Sequence, residues 1–186
     1  CKWTDDGHWE LIDGVEYDMS PAPSRIHQKL SGELFVRIYN ALKDKQCDVY
    51  AAPFDVRLSD SAEPSDEEIF TVVQPDIVVV CNESKLDERG CLGAPDLVVE
   101  ILSPYTAFKD LKIKRDLYEK YGVREYWLLH PTDKTIMVYC LREDKQYAKA
   151  EIYSAQDILE STVIEGLKVT LIDLFGVPFE TAPSKH

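Results

Sequence analysis

No run of apolar residues in this chain approaches the roughly 18 that a membrane-spanning helix needs, so a helical membrane protein is not expected. Although eight glycines are present, none falls in either common phosphate-cradling loop pattern, which leaves nucleotide-phosphate folds without support. There is no C-x-x-C pair and no Cys/His cluster. The five cysteines (Cys1, Cys47, Cys81, Cys91 and Cys140) are odd in number. They read as reduced thiols of a cytoplasmic protein, not as a disulfide frame or a zinc site. The start, Cys1-Lys2-Trp3, has neither an initiator Met nor an apolar signal core, so a trimmed chain is read and Cys1 is not taken as the native first residue. Positive charge is scarce: 21 Lys and Arg against 34 Asp and Glu give a formal charge of -13. That balance argues against indiscriminate binding to phosphate backbones, which depends on clustered Lys and Arg.

What is present suits one globular domain over residues 1–186, since 45% of the chain is hydrophobic. The charge is uneven. Residues 59–68, "SDSAEPSDEE", hold five acids and no base and read as a solvated loop. Residues 109–124 instead carry Lys109, Lys112, Lys114, Arg115, Lys120 and Arg124 against Asp110, Asp116 and Glu119.

"WELIDGVEYDMS" (9–20) has two alternating arms around Asp13-Gly14, a hairpin signal. Ser24 is placed to cap a helix on which Ile26, Leu30, Leu34, Ile38 and Leu42 recur at near-helical spacing. "CDVYAAP" and "FDVRLS" are short strands. "TVVQPDIVVVC" and "PDLVVEIL" read as nearly continuous apolar strands covered on both faces. Thr106 to Tyr121 turns helical, with Gly122 as its stop. "REYWLLH" is a further buried strand, "TIMVYCLR" and "QYAKAEIYS" form a hairpin, and "IEGLKVTLIDLFG" closes with a short strand and a helical turn. The expectation is one α/β domain with a central sheet, two main helices and an N-terminal hairpin.

Glu100 breaks the apolar pattern of its strand. A carboxylate among Leu97, Val98, Val99, Ile101 and Leu102 is costly to ionise unless a cation or a proton offsets it. Asp76 opens the other Pro-Asp strand. Two acids from neighbouring strands suit a hard divalent cation, which takes converging oxygen ligands and keeps water elsewhere. A structural reading stands beside this one, with Asp76 capping a turn and Glu100 paired to a nearby cation. On the next helix Asp110, Lys114 and Tyr118 stand four residues apart, on one row. The turn at Ser103-Pro104 lets that row lie beside Glu100, where the Lys114 ammonium orients a water or neutralises a phosphate. In isolation the same spacing describes a surface Asp110–Lys114 pair.

Taken together, "WELIDG", "SRIHQKL", "QPDIVVV", "APDLVVEILSP" and "KDLKIKRDLYEKYGVREYWLLHP" resemble the Uma2 family of restriction-endonuclease-like proteins over about residues 9–175. The resemblance implies the PD-(D/E)xK nuclease fold, a mixed sheet flanked by helices with Mg²⁺ or Mn²⁺ at one end. It places Asp76 as the first acid and Glu100 as the second. The lysine usual two residues later is absent, since position 102 is Leu, and the family pattern supplies it from the next helix as Lys114, with Lys112 a neighbour. The Ile101 carbonyl is a further ligand candidate. His27 and Glu10 are accessory candidates, while Lys109, Lys112, Arg115 and Arg57 are candidates for phosphate contacts. Tyr118 is expected to pack or to hydrogen-bond Lys114. A homodimer is implied, aligning two basic helices on DNA. The alternative is a catalytically silent nuclease-fold module that binds or regulates, with a partner protein gripping the DNA. A glycosidase carboxylate pair is disfavoured because nothing suggests a sugar-binding platform.

Overall fold

Asp13 and Gly14 both take positive φ, 48° and 78°, the geometry of a tight two-residue hairpin turn. Around them β1 (Trp9–Ile12) and β2 (Val15–Asp18) pair antiparallel, as the sequence leads one to expect. The computed structural model describes residues 9–19, 22–61 and 64–176; Cys1 and the acidic-loop residues Ala62 and Glu63 lie outside them. In chain order follow α1 (Arg25–Leu42), β3 (Asp48–Ala51), β4 (Val56–Leu58), β5 (Thr71–Val73), β6 (Ile77–Val80), β7 (Leu86–Asp87), β8 (Gly90–Leu92) and β9 (Leu97–Ile101). A π-helical stretch, Lys109–Lys114, then runs into α2 (Arg115–Tyr121). The chain continues through β10 (Glu125–His130), β11 (Thr135–Cys140), β12 (Glu151–Tyr153), β13 (Ile158–Glu160), β14 (Lys168–Thr170) and α3 (Leu171–Phe175).

The expected central mixed sheet is present, and a second sheet stands beside it. One six-stranded sheet runs β12-β11-β10-β9-β6-β3, and a second runs β2-β1-β5-β4-β8-β7, with β13-β14 as a separate ribbon. The break lies where "TVVQPDIVVVC" was expected to be nearly continuous. Pro75 has no N–H to give a ladder, and at Gln74-Pro75-Asp76 the chain leaves β5 in the second sheet and enters β6 in the first. Asp76 consequently stands at the mouth of β6, not inside a long strand.

Strand alternation then assigns the cores. On β9, Leu97, Val99 and Ile101 face α1 and α3. Val98 and Leu102 face the space between the two sheets, where Ile12, Val56, Val73, Leu117 and Tyr118 pack. Glu100 shares the parity of Val98 and Leu102 and so points into that inter-sheet layer. β6 and β9 are buried on both faces, as their composition suggests. The connection from β9 to its parallel neighbour β10 passes through α2, which brings that helix over the end of the strand carrying Glu100. Gly122 terminates α2 at φ 85°, its N–H bonded to the Tyr118 and Glu119 carbonyls. A side chain there would be strained.

Ser24 caps α1, its Oγ accepting the His27 N–H at 3.3 Å. Leu30, Leu34, Ile38 and Leu42 are buried as expected, but Ile26 is 42% exposed. The buried stripe starts one turn late, and in this first turn it is His27 that faces inward, lining a cavity.

Cys47 and Cys81 are joined by a disulfide, which corrects the reading of every cysteine as a reduced thiol; Cys91 and Cys140 are free. The register sets Asp48 opposite Val80, so positions 47 and 81 face each other one rung further on. Spacing alone gave no sign of this pairing, because it follows from strand register. A bond spanning 34 residues is worth about 3–4 kcal/mol in the chain-entropy account. Reduction is therefore expected to lower the urea midpoint by a corresponding amount. Denatured but unreduced protein should titrate two thiols fewer than reduced protein.

Candidate active site

Ile77 pairs with Val99 across β6 and β9, so the next rung sets Asp76 against Glu100. Asp76 Oδ2 accepts the Ile101 N–H at 2.7 Å, which fixes the carboxylate at the strand ends. His27, from the first turn of α1, places Nε2 3.2 Å from the same oxygen. Burial pulls the imidazole pKa down, but the Asp76 carboxylate and a hydrogen bond to the Ile101 backbone outweigh it and lift His27 above its ordinary value.

The helix row reaches the same place. Asp110, Lys114 and Tyr118 are all buried, at 3%, 2% and 0% exposure. The wide turns of Lys109–Lys114 lie at this contact, and π-helical segments are frequent at functional sites. Lys114 Nζ lies 2.7 Å from Glu100 Oε1 and 3.9 Å from Asp110 Oδ1. Tyr118 packs in the inter-sheet core, the first of the two expected roles, and donates its hydroxyl to Glu100 Oε1 at 2.9 Å instead of to Lys114. Burial, reinforced by Glu100, pushes the Tyr118 phenol well above its usual pKa, so it remains a neutral donor.

Glu10 is more central than its place in the hairpin suggests. It is fully buried, with Oε1 2.6 Å from Lys114 Nζ and Oε2 2.6 Å from Lys109 Nζ. It also accepts the Gln74 N–H at 3.0 Å. The signal was available in "WELI": Glu10 shares the inward parity of Ile12, so the strand presents an acid on its buried face, as β9 does. Lys109 belongs to this cluster and is not a free surface contact, its side chain being 11% exposed.

Four carboxylates (Glu10, Asp76, Glu100, Asp110) thus meet two ammonium groups and one imidazole. Burial alone would lower the Lys114 pKa, but Glu10, Glu100 and Asp110 together hold it well above normal, as an ammonium. Burial would raise Glu10, yet Lys114 and Lys109 outweigh this and keep it below normal. Glu100 goes the other way: burial pushes its carboxyl well up against the pull of Lys114, and Asp110, Asp76 and Glu10 add to the rise. Asp110 is raised, mainly by burial. The site is short of positive charge, and the shortfall centres on Glu100. Among the described residues no three His, Cys, Asp or Glu side chains are grouped to hold a metal. A cation here would draw instead on two carboxylates, a backbone carbonyl and water, a donor set that suits Mg²⁺ or Mn²⁺. The residues fit such an ion.

A cavity of about 200 Å³ opens onto this cluster, lined by His27, Asp76, Glu100, Ile101, Asp110 and Lys114 among others. Three expected phosphate contacts are not brought into it. Arg57 is buried on β4, with Nη2 2.6 Å from Asp87 Oδ1, and lines a different cavity. Arg115 pairs with Asp116 and, at 3.3 Å, with Glu119. Lys112 projects from the exposed side of the helix.

The architecture is similar to a crystal structure of "a putative nuclease belonging to DUF820" from Anabaena variabilis. The two share 20% sequence identity over 92% of each chain, with a TM-score of 0.74. At that identity the likeness shows the fold, which is nuclease-like. No curated protein sequence matches the chain. The profile of the Uma2 family, described as "Putative restriction endonuclease", matches residues 1–172. The chain belongs to the Uma2 family.

Proposed function

We propose that this protein is a metal-dependent endonuclease that hydrolyses phosphodiester bonds in DNA. The observation that carries the reading is the Lys114 ammonium 2.7 Å from Glu100, on the strand rung that faces Asp76. Asp76, Glu100 and the Ile101 carbonyl would hold a divalent ion, which would supply Lewis-acid activation of a water and of the scissile phosphate. The chain's own groups do the rest. Glu10 keeps Lys114 charged and fixes its position through the 2.6 Å pair. Two of the three ammonium donors go to Glu10 and Glu100, and the third serves the attacking water or a phosphate oxygen. Tyr118 orients the Glu100 carboxyl, and His27 with the Ile101 N–H orients Asp76.

Cleavage of supercoiled and linear DNA with Mg²⁺ or Mn²⁺ tests this. Asp76→Asn is expected to lower the rate by about a thousandfold, with the urea midpoint little changed because the side chain is half-buried and the variant can still accept the Ile101 N–H. Equal cleavage by wild type and variant would reject the assignment. The net charge of -13 favours a second reading, a catalytically silent nuclease-fold module that binds or regulates through a partner protein. Tight metal binding with no DNA affinity at low salt would select it. A homodimer placing two basic helices on DNA belongs to the first reading, and sedimentation at several concentrations tests the dimer; the Cys47–Cys81 disulfide removes the support that reduced thiols gave to a cytoplasmic location.

A further inference from the structure

Two aromatic rings stand in water beside the cavity: Tyr105 on its wall, and Phe108, three residues on, on the wall of a second cavity that Lys112 also lines. Tyr105 is 77% exposed and Phe108 68%. Single exposed apolar residues are ordinary on protein surfaces; this pair differs in its setting. Phe108 and Lys112 stand four apart on the helical segment, and Tyr105 lies three residues before Phe108 in the turn that leads into it. Lys112 Nζ lies 5.9 Å from the Phe108 ring centroid. Among the described residues no carboxylate lies within ion-pairing distance of Lys112, whereas Lys109 and Lys114 are bound to Glu10. The turn before the rings is clamped on itself. Ser103 Oγ and Thr106 Oγ1 are 3.1 Å apart, the Thr106 N–H reaches Ser103 Oγ at 3.2 Å, and the Ala107 N–H reaches the Ser103 carbonyl at 3.0 Å. This bonding fixes the Tyr105 backbone at the rim with its ring outward.

We propose that Tyr105, Phe108 and Lys112 form a stacking platform for a single-stranded stretch of nucleic acid entering the candidate catalytic cavity. The proposal rests on the phosphodiester-hydrolysis reading and names its substrate form. A cavity of about 200 Å³ is smaller than typical ligand pockets of about 300–1,000 Å³. A phosphate held inside it leaves the flanking bases outside, the nearest at the rim beside Tyr105 and the next toward Phe108 and Lys112. Unpaired bases offer π faces to such rings, while duplex bases have those faces already stacked. The free Lys112 ammonium complements the strand's phosphate.

The test is anisotropy of a labelled single-stranded oligonucleotide, its duplex and an abasic strand of equal length, in chelator at low salt. Wild type is expected to bind the single strand at least about tenfold tighter than the duplex or the abasic strand. Tyr105→Ala with Phe108→Ala is expected to lose at least about tenfold for the single strand and little for the abasic one. Lys112→Ala is expected to reduce the log–log salt slope by about 0.7, one phosphate contact on a single strand. Both rings are exposed, so unchanged urea midpoints are expected for the variants. No affinity for the strand, or an affinity indifferent to both rings, overturns the platform. So does a drop in sedimentation mass on ring removal without loss of strand binding, which makes the face a contact between copies. Binding in chelator is independent of cleavage. Ring-dependent binding by a protein that does not cleave keeps the platform and removes the hydrolysis; cleavage with ring-independent binding does the reverse.

Discussion

Lys114→Met is expected to destabilise the protein by about 3–5 kcal/mol near pH 8, because it leaves buried carboxylates without their cation. Lys114 is 2% exposed and within 4 Å of Glu10, Glu100 and Asp110. Since domains are stable by about 5–15 kcal/mol in total, the loss is a large fraction of what holds the fold. The pH dependence follows from the direction of each shift. In the wild type Glu10 lies below its usual 4.5, so its contribution is present above that value and is lost as pH falls through the lowered one. Without Lys114 the main opposition to burial at Glu100 is gone, Asp110 keeps only the Thr106 hydrogen bond and Lys109, and Glu10 keeps only Lys109. The already raised Glu100 and Asp110 values then rise further and the lowered Glu10 value rises as well, and the stability tied to the protonated acids is full below about 4.5 and lost as pH rises through the raised values. The difference between wild type and variant is therefore expected to narrow from pH 8 to pH 5 in urea unfolding. A constant difference, or one that widens in acid, contradicts this account of the cluster.

Glu100→Gln should separate stability from activity. Cleavage is expected to fall about a thousandfold, since the variant lacks one of two anionic ligands. Stability in chelator is expected to hold or increase. Burial lifts the Glu100 pKa well above 4.5, so the wild-type carboxyl stabilises the fold only while protonated. That contribution is complete below about 4.5 and disappears as pH rises through the raised value. Gln does not titrate and still accepts from Tyr118 and Lys114, so its advantage grows with pH. A variant both inactive and strongly destabilised at pH 8 would make Glu100 a structural ion-pair partner first.

Much of this site was legible because strand and helix periodicity are strict. Glu100 announced itself as an acid in an apolar run, and the four-residue spacing of Asp110, Lys114 and Tyr118 placed three polar groups on one face. What stayed hidden depended on long-range register. The Cys47–Cys81 bond follows from the pairing of β3 with β6, which spacing does not reveal. The second sheet, and with it Glu10 as the partner of Lys114, comes from the sheet change at Pro75. Arg57 shows the reverse case: a cation on a short strand looked available for phosphate, but the fold buries it against Asp87.

The central claim is that Asp76 and Glu100 hold a divalent ion beside Lys114. An anomalous difference map from a Mn²⁺-soaked crystal tests it most directly. The expected result is a peak between the Asp76 and Glu100 carboxylates, within reach of the Ile101 carbonyl, and its loss in Glu100→Gln. A map with no peak there from protein that still cleaves DNA with Mn²⁺ would contradict it.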